Sequence, residues 1–318
     1  MKKLLKLMLS TSLLFLLVVC LAPASKAEAA VKQNGIAKNS ITLSWDAEED
    51  AMNYQVYIDA GSNYTREWTL YKTLAPSQTS ITITGLPAGC ERSIRVEYEY
   101  YSYDGTKTYT SVAGTVYDAK TLPGKVTGLK QEKWWYFALA FDATWDKQEG
   151  ADGYEYIVKD SKGKKKASEK KASSLTSFSV GKISNSQIYT AQVRAYTEFE
   201  GKTYYGEWSN TAYFFTQPRV SKASVSKNKL KIKWGKVSGA TGYDVYVSTK
   251  PRTGYKKVKS VGKKVSSVTI KKFKNKKISS KKKYYVYVAT KKKVGKTTYT
   301  SGKLYYWDTK STSFGYFT

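Results

Sequence analysis

Alternation of apolar and polar residues is the dominant signal along this chain. It runs through Ile41, Leu43 and Trp45, through Phe137, Leu139, Phe141, Ala143 and Trp145, and through Leu230, Ile232 and Trp234. A period of two brings every second side chain to one face of an extended strand, so each run predicts a strand with one buried face. The alternation restarts at Tyr54, Val56 and Ile58, at Tyr154, Tyr156 and Val158, and at Tyr243, Val245 and Val247. The loops between are rich in Gly, Asp and small residues and too short for a helix. In all three places Tyr follows Trp at one spacing: WDAEEDAMNYQVYI, WDKQEGADGYEYIV and WGKVSGATGYDVYV. The simplest reading is a core requirement in which Trp45 with Tyr54, Trp145 with Tyr154, and Trp234 with Tyr243 each fill one layer between two strands. Truncating a buried Trp costs ~3 to 5 kcal/mol.

Each Trp–Tyr pair is followed by further short strands at turn-separated intervals, with no 3.6-residue period, which is the pattern of an antiparallel sandwich. The three Trp stand 100 and 89 residues apart. That period suits whole domains rather than solenoid repeats. TLPG at Thr121–Gly124 and TQP at Thr216–Pro218 punctuate the chain where Pro interrupts a strand. The expected organisation is therefore a first repeat over 31–121, a second over 122–217, a third over 218–309, and a C-terminal tail over 310–318.

The Trp on the second strand, the Tyr opening the third, and a later Leu-x-x-Gly-x-x-Tyr-x-Φ-x-Val signature (Φ, apolar) resemble fibronectin type III domains in tandem, as in secreted bacterial proteins. The resemblance covers nearly all of 31–309 and implies three seven-stranded antiparallel β-sandwiches. In the second repeat the later signature is Ile183, Tyr189, Ala191 and Val193; in the third it is Ile278, Tyr284, Val286 and Val288. The resemblance places Tyr189 and Tyr284 at a corner where the hydroxyl bonds backbone upstream. The first repeat departs: Leu86, Gly89, Ile94 and Val96 fit, but Arg92 stands in the Tyr position. Immunoglobulin domains are the nearest rival and need a cysteine pair that this chain lacks.

The first thirty residues read differently. MKKLLKLMLS is basic, LLFLLVVCLA at Leu13–Ala22 is apolar, and AEAA at Ala27–Ala30 is a small-residue cleavage site. Together they read as a secretory signal peptide over 1–30. The apolar run falls short of the ~20 residues a membrane-spanning helix needs. The mature chain is therefore expected outside the cytoplasm, secreted or associated with the cell envelope, without a transmembrane segment. A lipoprotein signal would want a small residue before Cys20, and Val19 stands there. If Cys20 leaves with the signal, Cys90 is the only thiol: an inert loop cysteine, or the source of an intermolecular bridge.

Charge changes the picture most. Of the net +29, residues 31–121 carry 8 Lys/Arg against 11 Asp/Glu, residues 122–217 carry 14 against 11, and residues 218–318 carry 28 against 2. Residues 218–318 are thus at +26, far above the ~2 to 8 that keeps a small domain soluble. Their lysines cluster at Lys271, Lys272, Lys274, Lys276 and Lys277, at Lys281, Lys282 and Lys283, and at Lys291, Lys292 and Lys293. The resemblance sets the first two clusters at one pole and the last at the other, a spread that suits diffuse attraction to a polyanion. A lysine-rich solubility coat is the alternative. If Tyr243, Val245, Tyr284, Val286 and Val288 point inward, Tyr246, Tyr285 and Tyr287 turn outward on neighbouring strands. Such a set either stabilises the sheet or offers a glycan or partner face.

Catalytic chemistry finds no footing in the residues. The chain has no histidine, hence neither the commonest general base nor the commonest metal ligand. One mature cysteine excludes a cysteine-based zinc site, and no phosphate loop or nucleophile elbow occurs. Carboxylates such as Glu97 and Glu99 fall on outward strand positions and read as surface acids. The expected function is non-catalytic and needs no cofactor: a cell-surface or extracellular interaction or adhesion module whose third repeat anchors to an anionic envelope polymer such as teichoic acid, or to another polyanion. A glycan or a surface protein is a further expected partner, and secretion argues against nucleic acid. The alternatives are an accessory of a carbohydrate-active enzyme system and a structural spacer without ligand.

Overall fold

The computed structural model describes residues 30–60, 66–103, 108–135, 139–184 and 186–317. The leader through residue 29, with Cys20, and Phe137 lie outside the described residues. All the secondary-structure elements among the described residues are β-strands. The chain forms two compact units. One comprises residues up to Ile36, Ser40–Gly85 and Glu91–Lys120, and the other Ala37–Asn39, Leu86–Cys90 and everything from Thr121 onward.

In the first unit the strands are β1 (Lys32–Gln33), β2 (Ser40–Ser44), β3 (Asn53–Asp59), β4 (Trp68–Leu74), β5 (Ser80–Thr84), β6 (Glu91–Tyr103) and β7 (Thr108–Lys120). They make two antiparallel sheets, β1-β2-β5 and β4-β3-β6-β7. Ile41 and Leu43 of β2 and Tyr54 and Val56 of β3 are buried while their strand neighbours are not, as the alternation requires. Glu99 is no free surface acid, since it accepts from Asn53 Nδ2 at 2.6 Å and Gln55 Nε2 at 2.7 Å.

The second unit opens with β8 (Lys130–Trp135), β9 (Ala140–Thr144), β10 (Gly153–Lys159), β11 (Lys165–Ala172), β12 (Ser177–Val180), β13 (Tyr189–Phe199), β14 (Lys202–Tyr205) and β15 (Ala212–Phe214). Sheet β12-β9-β8 opposes β11-β10-β13-β14, to which β15 adds beside β13. The chain continues through β16 (Val220–Ser226), β17 (Lys229–Trp234), β18 (Gly242–Ser248), β19 (Lys256–Gly262), β20 (Ser267–Ile270), β21 (Lys272–Phe273), β22 (Lys276–Lys277), β23 (Tyr285–Val294), β24 (Thr297–Thr300), β25 (Tyr305–Asp308) and β26 (Phe314–Tyr316). Sheet β16-β17-β20 opposes β19-β18-β23-β25-β26, with β24 beside β23 and β21-β22 a separate hairpin. In that hairpin Lys274 and Asn275 both have positive φ, the conformation a tight two-residue turn of type I′ demands.

One device recurs in all three repeats. Trp45, Trp145 and Trp234 meet Tyr54, Tyr154 and Tyr243 at ring-centroid distances of 5.4, 5.3 and 5.7 Å. Each phenol oxygen also accepts a backbone N–H six residues upstream, from Glu48, Gln148 and Val237, at 2.8 Å in every case. The constant Trp–Tyr spacing is thus the length of loop that lets one tyrosine both pack its ring steeply inclined against the Trp and bond through its hydroxyl. The three indole N–H groups are buried without a hydrogen-bond partner, so the Trp rings hold their place by packing.

A second recurring device joins the two sheets. Gln33 pairs its amide with both backbone groups of Lys120, donating at 2.7 Å and accepting at 3.0 Å. Gln131 does the same with Phe215 at 3.2 and 2.8 Å, and Gln217 with Tyr305 at 2.7 and 3.2 Å. Each side chain acts as one rung between the start of its repeat and a segment 84 to 88 residues later. The corner tyrosines are also in place: Tyr189 accepts from the Ser184 N–H at 2.7 Å and Tyr284 from the Ser279 N–H at 3.2 Å. Arg92 instead lies exposed, bonded only to the neighbouring Glu91 carbonyl. There the buried Thr121 hydroxyl takes over, accepting from the Cys90 N–H and donating to the Pro87 carbonyl, each at 2.9 Å.

The second and third repeats exchange core residues. Ile188 and Phe215 pack into the core of the third, while Leu304 and Tyr305 pack into that of the second. Residues 314–317 of the expected tail pack onto the sheet. Phe314 makes edge contacts with Tyr305 and Trp307 at 5.0 and 4.8 Å, and its burial draws 314–316 onto β25 as strand β26.

Replacing Tyr243 by Phe should cost about 1 to 3 kcal/mol in denaturant unfolding, because the Val237 N–H would be left buried and unpaired; no loss would mean that the bond is idle. Replacing Arg92 by Tyr should be neutral or stabilising by up to about 1 kcal/mol. A loss beyond about 1 kcal/mol in the same measurement would give Arg92 a packing role.

Candidate polyanion-binding surface

The third repeat holds two acids, and both are consumed internally. Asp244 on β18 is buried and faces Lys291 on β23 at 2.9 Å, with Lys257 on β19 at 3.5 Å. Burial pushes the Asp244 carboxyl up, but hydrogen bonds from Ser260 and Lys291 and the charges of Lys291 and Lys257 outweigh it and hold the group below the usual aspartate range. Asp308 on β25 faces Lys283 at 2.8 Å. Its carboxyl too is opposed by burial and lowered overall, by Lys283 and by backbone N–H groups of Lys310 and Ser311. Of the expected lysines, Lys283 and Lys291 are therefore structural partners.

Lys281 and Lys282 are exposed just before β23, and Lys292 and Lys293 lie at its far end. A strand rises ~3.3 Å per residue, so β23 separates the two clusters by about 30 Å. Lys271, Lys272, Lys274, Lys276 and Lys277 are exposed on and around the β21-β22 hairpin. Sequence reasoning passed over another set. Lys229, Lys231 and Lys233 alternate with buried Leu230, Ile232 and Trp234 on β17, and Lys233 lies opposite Lys222 of β16. Like charges facing each other across a ladder destabilise it. The signal was the same alternation that located the core, read for its polar phase.

The tyrosine face is corrected. Tyr246, Tyr285 and Tyr287 do leave the main core, but Tyr285 and Tyr287 are only 8% and 4% exposed. Tyr246 stacks flat on Tyr287 at 4.5 Å, Phe317 meets Tyr287, Tyr255 and Tyr306 edge-on, and Tyr306 covers Tyr285 at 5.4 Å. The C-terminal segment lies over these rings because leaving so much aromatic area in water is unfavourable. Burial then pushes the Tyr287 and Tyr255 hydroxyls well above the ordinary tyrosine range. The more open aromatic pair is Tyr213 with Tyr299, at 4.9 Å, on the wall of a cavity of about 430 Å³ that Gln131, Glu132 and Thr211 also line. A second, larger groove of about 620 Å³ is lined by Lys236, Lys263, Lys264 and Lys292 together with Ser186 and the 237–241 loop.

A three-stranded sheet opposes a larger one, and in the second and third repeats a corner tyrosine takes the backbone N–H five residues upstream, inside the loop that links the sheets. The fold is fibronectin type III-like. The chain is similar to the solved FN1-FN3 domains of chicken CNTN1, with 13% identity and a TM-score of 0.32 over 88% of this chain and 96% of that one. It is also similar to a two fibronectin type-III domain segment from chicken tenascin, with 15% identity and a TM-score of 0.35 over 59% of this chain and 98% of that one. No protein-family model matches the chain, and no curated protein does. Among the described residues no helix is long and apolar enough to cross a membrane.

In this fibronectin type III-like frame the buried Asp244 of β18 fastens to Lys291 of β23, and Asp308 of β25 to Lys283 just before β23. Replacing Asp308 by Asn should cost about 1 to 2 kcal/mol, the half-exposed Lys283 reducing the effect, and replacing Asp244 by Asn about 1 to 3 kcal/mol. Both carboxyls are lowered by folding, so the stability they add is full above the ordinary aspartate value of ~3.9 and vanishes as pH falls through their lower folded values. The gap between wild type and each variant should therefore close in acid unfolding titrations; a gap unchanged down to strongly acid pH would contradict the pairing.

Proposed function

We propose that the chain is a non-catalytic extracellular interaction module that holds an anionic envelope polymer through the lysine excess of its third repeat. One observation carries this reading. Both acids of residues 218–318 are already paired with lysines inside the sheet, so the remaining cations face solvent with no carboxylate of their own repeat to neutralise them. Such a field raises the local concentration of a polyanion without a shaped pocket. The near balance of charge in the first two repeats assigns them to reach and presentation. A rigid spacer is a second reading, favoured by the shared cores of the second and third repeats.

The test is binding of the full chain to purified cell walls and to a phosphate polymer as salt is raised. Affinity should fall steeply as the Debye length shrinks from ~10 Å at 0.1 M to ~3 Å at 1 M. Reversing Lys281 and Lys282 to Glu should weaken binding, whereas Lys283 is left in place because it holds Asp308. Retention undiminished at 1 M salt would contradict anchoring by charge, and no binding at 0.1 M would favour the spacer.

A further inference from the structure

A cationic groove of the second unit lies where its two repeats meet. Three segments distant in sequence supply it: Lys236 in the loop after β17, Lys263 and Lys264 in the turn after β19, and Lys292 on β23. Among the described residues no acid lines this groove. Lys263 and Lys264 also line an adjoining hollow with Thr241 and Val265, so the cationic surface continues past the groove.

Each segment is pinned by hydrogen bonds of its own. The Val237 N–H is held by the Tyr243 hydroxyl at 2.8 Å. Ser238 donates to the Ser186 carbonyl at 2.8 Å and accepts from the Ile188 N–H at 2.9 Å. Gly239, at φ +81°, takes a conformation that side chains other than glycine rarely adopt, and a Cβ there would meet Ser161 at 3.2 Å. Lys292 is flanked by two more ties to the same loop: Thr241 donates its N–H to the Lys291 carbonyl at 2.8 Å, and its hydroxyl accepts from the Lys293 N–H at 2.9 Å. The turn bearing Lys263 and Lys264 is closed by the Val265 N–H on the Gly262 carbonyl at 3.1 Å. Side chains alternate along β23, so Lys291 goes to Asp244 while Lys292 goes to the groove. Four cations are thus set around one concavity by backbone that is already fixed, and a groove lined by one sign of charge focuses its field inward.

The lining also says what kind of anion fits. The groove's volume, about 620 Å³, is within the ~300 to 1,000 Å³ of ligand sites and admits several anionic groups in succession. Its cations are all lysines, point charges suited to phosphate oxygens rather than planar forks suited to carboxylates. Among the described residues no aromatic lines it, so they offer no stacking platform of the kind that single-stranded nucleic acids use. We propose that this groove is the privileged seat of the anchor and takes a run of a linear phosphate polymer that carries no bases. The proposal rests on the anchoring reading above and adds to it a location and a ligand class.

The experiment uses the full chain and a labelled short-chain linear polyphosphate, read by fluorescence anisotropy across a salt series. One variant replaces Lys236, Lys263, Lys264 and Lys292 by Gln; a control removes the same charge outside the groove, at the exposed Lys250, Lys256, Lys259 and Lys303. Without these four lysines to neutralise phosphates, the groove variant should bind about tenfold or more weakly at 0.1 M salt, and its slope of log affinity against log salt should flatten by about 3. The control should change the slope by less than about 1. Equal weakening in both variants would overturn the groove and leave the diffuse anchor standing. Absence of wild-type binding would overturn the anchor and the groove together. An oligonucleotide bound more tightly than polyphosphate would overturn the ligand class.

Discussion

A phenol that packs its ring across a tryptophan and bonds at once is the constraint on which the rest of this structure depends. Tyr54, Tyr154 and Tyr243 each lie against a tryptophan and each take a backbone N–H from the loop between them, with the same six-residue reach. The ring contact is a core contact, and the bond fixes a loop that has no regular structure to fix it. Removing a buried donor's partner costs more than a typical hydrogen bond contributes, so the loop conformation is tied to the core. That coupling explains why the spacing is constant while the loop sequences AEED, KQEG and KVSG differ: the bond is to backbone, and the intervening side chains are free to vary.

In the third repeat that freedom has a consequence. The locked loop begins with Lys236 and continues through Ser238 and Gly239, which lie against Ser186, Ile188 and Ser161 of the second repeat. One phenol therefore bears on the core, on the seam between two repeats and on the position of a groove lysine. The charge balance follows the same logic of fixed and free. Asp244 and Asp308 are spent on Lys291 and Lys283 inside the sheet, and the exposed lysines are left to whatever anion approaches.

The strands and the Trp–Tyr layers were legible because they rest on period-two burial, which writes itself directly into residue order, and the corner tyrosines were legible through the signature they share with fibronectin type III domains. Three things were not. The glutamine rungs at Gln33, Gln131 and Gln217 depend on one amide meeting a strand roughly ninety residues away, and a single polar residue carries no periodic signal. The burial of Tyr285 and Tyr287 depends on a segment beyond the last expected strand; alternation gives the face a side chain takes but not what later covers that face. The lysines were legible as runs, yet the groove gathers single members of separate runs, Lys236 among them, and β17 carries its lysines in alternation rather than in a run. Proximity in the fold, not proximity in the sequence, decides which charges act together.

Native-state hydrogen exchange at the amides of Glu48, Gln148 and Val237 tests the lock most directly, because each is a loop amide whose partner is a side-chain oxygen in the core. If the phenol bond opens only with the core, these three should exchange as slowly as the neighbouring strand amides, within about tenfold, and well below the rates of other amides in the same loops. Exchange at ordinary loop rates would show that the loops open independently of the Trp–Tyr layer and would contradict the account.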